Sequence, residues 1–164
     1  MNHLRKGIGF GLFIVLAASL ATAQILTADQ SKKAVPTSFF YSGQSAPVQM
    51  RNSGGVKNSA GKLVLAGLVD TSGYATSIAE KYQGFLITEA KISIAGSALE
   101  VGAYGFGLSK DGKFTVMNVA GGDVLSVEAN TDDKITHPVP LKFTKEGSDY
   151  RLYAGKKYVT LKLE

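Results

Sequence analysis

Few residues in this 164-residue chain could carry chemistry, and their types exclude more than they suggest. There is no cysteine, so disulfide scaffolds, thiol nucleophiles, iron–sulfur clusters and cysteine zinc sites are ruled out. Of the two histidines, His3 lies in the segment read below as an export signal, which leaves His137 alone in the rest of the chain. His137 sits in Thr136-His137-Pro138-Val139-Pro140, downstream of Asp132 and Asp133. One imidazole and two carboxylates on a proline-stiffened loop make a poor ligand set, and Asn130-Thr131-Asp132-Asp133 lacks the alternating oxygen ligands and distal glutamate of a calcium loop. A serine nucleophile would have only His137 as its base, and no Gly-x-Ser-x-Gly elbow is present. A glycosidase needs two positioned carboxylates, and the thirteen acids are scattered. Gly102-x-x-Gly105-x-Gly107 has the look of a phosphate loop, but no helix follows it to supply a dipole. The alternation through Tyr104, Phe106 and Leu108 reads instead as a strand whose glycines admit a close neighbour. The sequence therefore points to no catalytic residue, no metal and no cofactor, and to a binding or structural role rather than an enzyme.

What remains is charge and its placement. Arg5 and Lys6, the apolar run Ile8–Ala18, and the small-x-small pattern Ala21-Thr22-Ala23 together read as a secretory signal peptide cleaved after Ala23. No cysteine follows for lipid attachment and no later segment reaches membrane length, so the mature chain is expected to be soluble, secreted or periplasmic, without a membrane span. Removing the signal lowers the formal charge from +5 to +3, which argues against a nucleic-acid partner. Six bases against three acids between Val139 and Glu164 account for all of that excess.

The elements that must position these residues are strands. After a polar leader, residues 24–35, which the sequence leaves as either disordered or an added edge strand, residues 36–164 form a single domain of short two-residue-period segments bounded by Gly, Asp, Asn or Ser. The expected fold is all-β: an antiparallel β-sandwich or flattened barrel of about 8–10 short strands. Lys62–Asp70 is apolar on both parities and should be a central strand covered on both faces. Asp111-Gly112 between alternating runs marks a hairpin. Tyr74–Gln83 reads as a short helix or irregular loop, with Ser77 as a candidate cap.

Further turns at Glu146-Gly147-Ser148 and Gly155-Lys156 make the C-terminus a three-strand meander. A tight turn at Gly155-Lys156 sets Tyr153 against Tyr158 and Arg151 against Thr160; a longer loop before Tyr150 sets Phe143 against Tyr150 and Lys142 against Arg151. Val139, Leu141, Phe143, Tyr150, Leu152, Val159, Leu161 and Leu163 then share the core face. Outside, Lys142, Arg151 and Thr160 form a row beside Pro140, Tyr153 and Tyr158, with two opposed cations relieved by aromatic contact. This basic-aromatic patch, Lys142, Arg151, Tyr153, Tyr158 and Thr160, is the candidate ligand surface, for an acidic glycan or an acidic protein surface.

The segment Ile92-Ser93-Ile94-Ala95-Gly96-Ser97-Ala98-Leu99-Glu100-Val101-Gly102-Ala103-Tyr104 resembles a pattern of uncharacterised secreted bacterial β-sandwich proteins, in which a strand, a Gly-x-x-Leu turn and a Gly-x-Tyr strand follow one another. The resemblance spans Lys91 to Met117 and implies a sandwich with a turn at Gly96; no activity travels with it. The function expected from the sequence is non-catalytic binding or a structural role in the envelope. A small extracytoplasmic hydrolase with an unlocated carboxylate pair and a lipocalin-like carrier of an apolar ligand are the alternatives. The carrier would need an internal apolar cavity, and the sequence predicts a filled interior.

Overall fold

A computed structural model describes residues 22–164; residues 1–21, most of the expected export signal, lie outside it. The chain folds as two antiparallel sheets that do not close into a barrel. In chain order the elements are β1 (Gln24–Ile25), α1 (Ala28–Ala34), β2 (Ser38–Tyr41), β3 (Gln44–Lys57), β4 (Leu63–Val69), α2 (Thr76–Ala79), β5 (Gly84–Thr88), β6 (Ile92–Ile94), β7 (Ser97–Leu99), β8 (Gly102–Leu108), β9 (Lys113–Asn118), β10 (Asp123–Glu128), β11 (Asn130–Thr131), β12 (Val139–Glu146), β13 (Asp149–Gly155) and β14 (Lys157–Leu163). The larger sheet has the order β1-β3-β4-β5-β8-β9-β10, with β2 also on β3; the smaller has the order β12-β13-β14-β6-β7, with β11 also on β14.

The described residues form fourteen strands, more than the expected 8–10, because four pieces of two or three residues, β1, β6, β7 and β11, pair as well. One strand, β3, is long, running fourteen residues from Gln44 to Lys57. The Gly96 turn joins β6 to β7, with Ala95 and Gly96 both at positive φ (47° and 87°) and Ile94 opposite Ser97. Gly112 (φ 96°) turns β8 into β9.

Two apolar clusters hold this together. The first lies between the sheets and includes Val64, Ala66, Leu86, Phe106, Val116, Leu152 and Leu161. The second lies on the opposite face of the larger sheet, where Leu65, Val69, Phe85 and Met117 meet Val35, Phe39, Tyr41, Ala46 and Tyr82. The alternate residues of β4 thus go to different cores, which is why its sequence is apolar on both parities. Burying apolar area at roughly 25 cal/mol per Å² on both faces makes this sheet the middle layer of three.

The leader is neither disordered nor only a strand. Gln24 and Ile25 pair with Lys57 and Val56, and α1 follows. Its start is a capping box: Gln30 N donates to Thr27 Oγ1 (3.3 Å) and Thr27 N donates to Gln30 Oε1 (2.9 Å). Asp29 in the first turn and Lys32 and Lys33 in the last suit the helix dipole. In the Tyr74–Gln83 region, α2 has Ala75 at its N-cap with no side-chain bond, so Ser77 lies inside the turn and does not cap it.

Strand β3 changes cores part-way. Its register to β4 runs Val48 to Val69 and then Ser53 to Gly67, so three extra residues bulge out between them. The bulge is fastened by its own side chains: Gln49 Nε2 donates to Val69 O (3.1 Å), Asn52 Nδ2 to Gln49 Oε1 (2.8 Å) and Ser53 Oγ to Met50 O (2.8 Å).

Candidate functional site

The C-terminal meander forms as its turns dictate. Gly155 (φ 66°) and Gly147 (φ 61°) each occupy a two-residue turn, closed by Ala154 opposite Lys157 and by Glu146 opposite Asp149. At the second hairpin the expected register is present, with Tyr153 opposite Tyr158, Leu152 opposite Val159 and Arg151 opposite Thr160. At the first it is not. The turn is tighter than the loop assumed, so Lys142 faces Tyr153, Phe143 faces Leu152, and Thr144 faces Arg151. The slip is two residues, which preserves parity, so Leu141, Phe143, Tyr150, Leu152, Val159 and Leu161 still enter the core.

In this register Lys142 and Arg151 do not oppose one another. Lys142 Nζ lies 5.1 Å from the Tyr153 ring centroid, Arg151 Cζ lies 4.4 Å from that of Tyr158, and the two rings are 5.0 Å apart. Arg151 Nη1 donates to Tyr153 Oη (3.3 Å) and pairs with Glu146 (3.6 Å), while Tyr153 Oη donates to Asp132 Oδ2 (2.9 Å). Burial pushes the Tyr153 hydroxyl up, and its hydrogen bond holds the Asp132 carboxyl below the usual carboxylate range. The loop following β11 therefore lies over the patch, and Tyr153 is only 3% exposed. Arg151 and Tyr158 border an open hollow shared with Asp132, Asp133, Lys134 and Glu146, where both signs of charge are present and largely answer one another. Thr160 is half-buried in the row beside Arg151.

His137 is exposed, with Nδ1 3.0 Å from Thr136 Oγ1. Among the described residues, no three His, Cys, Asp or Glu side chains converge on a metal-sized space. The glycines of β8 do admit close neighbours. A Cβ at Gly105 would sit 2.7 Å from the Tyr41 ring, and one at Gly107 would sit 1.6 Å from the Lys81 carbonyl oxygen.

The more specific space lies at the opposite seam, where the edge strand β12 approaches β3 and α1. The bulge brings Met50 and Arg51 to a cleft of about 530 Å³ that β3 forms with α1 and β12. Its floor is apolar: Ile25, Leu26, Met50, Leu141 and Phe143. Its charged residues are Lys32, Arg51 and Lys142, with no carboxylate among the lining residues. Gly54 and Gly55 leave the β3 wall bare; a Cβ at Gly55 would strike Leu65 Cδ2 (2.6 Å) and Val64 O (2.7 Å). Ile25 of this floor is 37% exposed. No family model, curated protein or solved structure matches this chain.

Of the five residues singled out from the sequence, Lys142 borders this cleft, Arg151 and Tyr158 border the compensated hollow, Tyr153 is covered, and Thr160 flanks Arg151. Lys32 and Arg51 had no signal of their own. Thr27-x-x-Gln30 would have revealed the helix that carries Lys32, and the Gly54-Gly55 pair marks a close approach of β3 to its neighbours.

Proposed function

We propose that this chain is an exported, non-catalytic binding domain that takes a single-chain amphipathic anion, a free carboxylate with an apolar tail, into the cleft between α1, β3 and β12. The observation that carries the reading is the composition of that cleft: an apolar floor bordered by Lys32, Arg51 and Lys142, and no acid. Its volume of about 530 Å³ suits a small organic ligand. A ligand with an apolar tail and a carboxylate matches both parts of this lining, covering the apolar floor and answering the basic border. The export signal in residues 1–23 supports placement outside the cytoplasm. Because the C-terminal face answers its own charges, it supports an acidic-glycan reading less well.

Calorimetric titration of residues 24–164 with a series of straight-chain carboxylates below their micellar concentrations tests this. Affinity is expected to rise about fourfold per added methylene until the floor is covered. The matching alcohols and the double variant Arg51→Ala, Lys142→Ala should each bind about tenfold or more weakly, since a hydrogen bond to a charged group is worth about 1.5–3 kcal/mol. Equal binding of the alcohols, no loss in the double variant, or no binding across the series would each overturn the reading.

A further inference from the structure

The surroundings of Gln24 point to a modification. Leu26 N donates to Gly55 O (2.9 Å), and Ile25 and Gln24 lie opposite Val56 and Lys57. Hydrogen-bonded and non-bonded pairs alternate along an antiparallel ladder, so Gln24 and Lys57 form a bonded pair in which the Gln24 N–H is directed at the Lys57 carbonyl. On the other side, Lys145 Nζ of β12 donates to the carbonyl of Ala23 (3.2 Å), the acyl group carried by that same nitrogen. The fold therefore holds the Gln24 nitrogen as an amide: one N–H in the ladder and one carbonyl under an ammonium.

Cleavage after Ala23 breaks this arrangement. It removes the carbonyl and leaves an α-ammonium close to Lys145, with Lys57 opposite, both cations. Like charges brought together at a partly screened surface are unfavourable. Gln24 is exposed, so its side chain is free to fold back on its own nitrogen. We propose that the mature chain begins with pyroglutamate at position 24, an inference that rests on the export reading. In the step, the neutral α-amine attacks Cδ of the Gln24 carboxamide; a bond forms between N and Cδ, the bond from Cδ to Nε2 breaks, and the amide nitrogen leaves as ammonia. No oxidant or co-reactant is consumed. The product nitrogen is again a neutral amide. Closing the ring turns the N–H away from the ladder, as in proline, so the bond to Lys57 O is given up; what returns is a neutral nitrogen and a carbonyl acceptor in place of the charge beside Lys145.

The test is intact-mass and N-terminal peptide analysis of protein exported from the full precursor. The expected species is residues 24–164 less one ammonia, blocked to stepwise degradation from the N-terminus. An open Gln24 in the exported protein would overturn the modification while leaving export standing; a start elsewhere would overturn the cleavage site and the modification with it. A second measurement asks whether the fold matters. Gln24→Ala, which cannot cyclise, should have a lower thermal midpoint than the cyclised chain, and adding Lys145→Ala in that background should recover part of the loss. Lys145→Ala in the cyclised chain should give no gain. Absence of that difference would overturn the role assigned to Lys145.

Discussion

Replacing Gly107 by alanine adds one methyl group to β8, and the structure says where it goes. The new Cβ would lie 1.6 Å from the backbone oxygen of Lys81, against an ordinary contact of about 3.5 Å, so one of the two chains must move by nearly 2 Å. Backbone cannot rotate aside as a side chain would. The segment after α2 is the part that yields, and its attachments to β8 show what is lost. Gln83 N donates to Phe106 O (2.9 Å), Gln83 Nε2 to Leu108 O (3.0 Å), and Leu108 N to Gln83 Oε1 (3.1 Å). At about 1 kcal/mol net for each hydrogen bond, the three together come to about 3 kcal/mol. That matches the upper end of the usual cost of overpacking, about 1–3 kcal/mol. Tyr82 moves with the segment, and its ring stacks on Tyr41 at 4.0 Å, so the second core is disturbed too. For a domain of this size the thermal midpoint should fall by about 10 °C. Gly73→Ala is the internal control: the same methyl meets nothing within 4 Å, and restricting the unfolded chain should leave stability unchanged or raised by up to about 1 kcal/mol. Urea and thermal unfolding of the two variants beside the wild type decide the matter. A Gly107→Ala protein within about 0.5 kcal/mol of wild type would refute the packing of Lys81 on β8.

Tyr82 is fully buried and its hydroxyl has no partner among the described residues, so Tyr82→Phe should stabilise the domain by about 1 kcal/mol in urea unfolding, whereas a loss would mean that the hydroxyl is bonded. Asp132 titrates below the usual carboxylate range because Tyr153 donates to it, so its folded value is depressed. Its contribution is present above the unfolded value near 3.9 and is lost as pH falls through the folded one. The stability advantage of wild type over Asp132→Asn should therefore shrink on acidification below about pH 4, and a difference independent of pH would contradict the contact.

Much of the architecture could be read from residues. The double-sided strand β4, the Gly96 and Gly112 turns and the Gly155 register all follow from local rules of parity and positive φ. Where reading failed, the failure was one of counting across a turn. Gly147-Ser148 is tighter by enough to move β12 by two residues, and even spacing hid the slip because the core face was unchanged. The leader misled for another reason: its seven-residue helix is polar, with Ser31 its only buried residue, so capping chemistry announces it and hydrophobic periodicity does not. The cleft was out of reach of any single window, since its walls come from residues 25–32, 50–55 and 141–143. Of its cations, Lys142 was read with the C-terminal patch and Lys32 and Arg51 had no signal, until the fold placed all three around one floor.

That bulge also works as an odd number. Ala46 and Val48, before it, point into the outer core, and Val56, after it, points into the inner one, although all three are even positions of one strand. Three inserted residues turn the pleat over; an unbroken strand would send them all to the same side. Evolution is therefore free to change the bulge in steps of two and penalised for steps of one. Loss of a single residue there would turn Ala46 and Val48 out of the outer core to the face that Val56 occupies, together with Phe39, the partner of Ala46, and empty the outer core of these side chains. In this protein the length of one irregularity, taken modulo two, decides to which core Ala46 and Val48 belong.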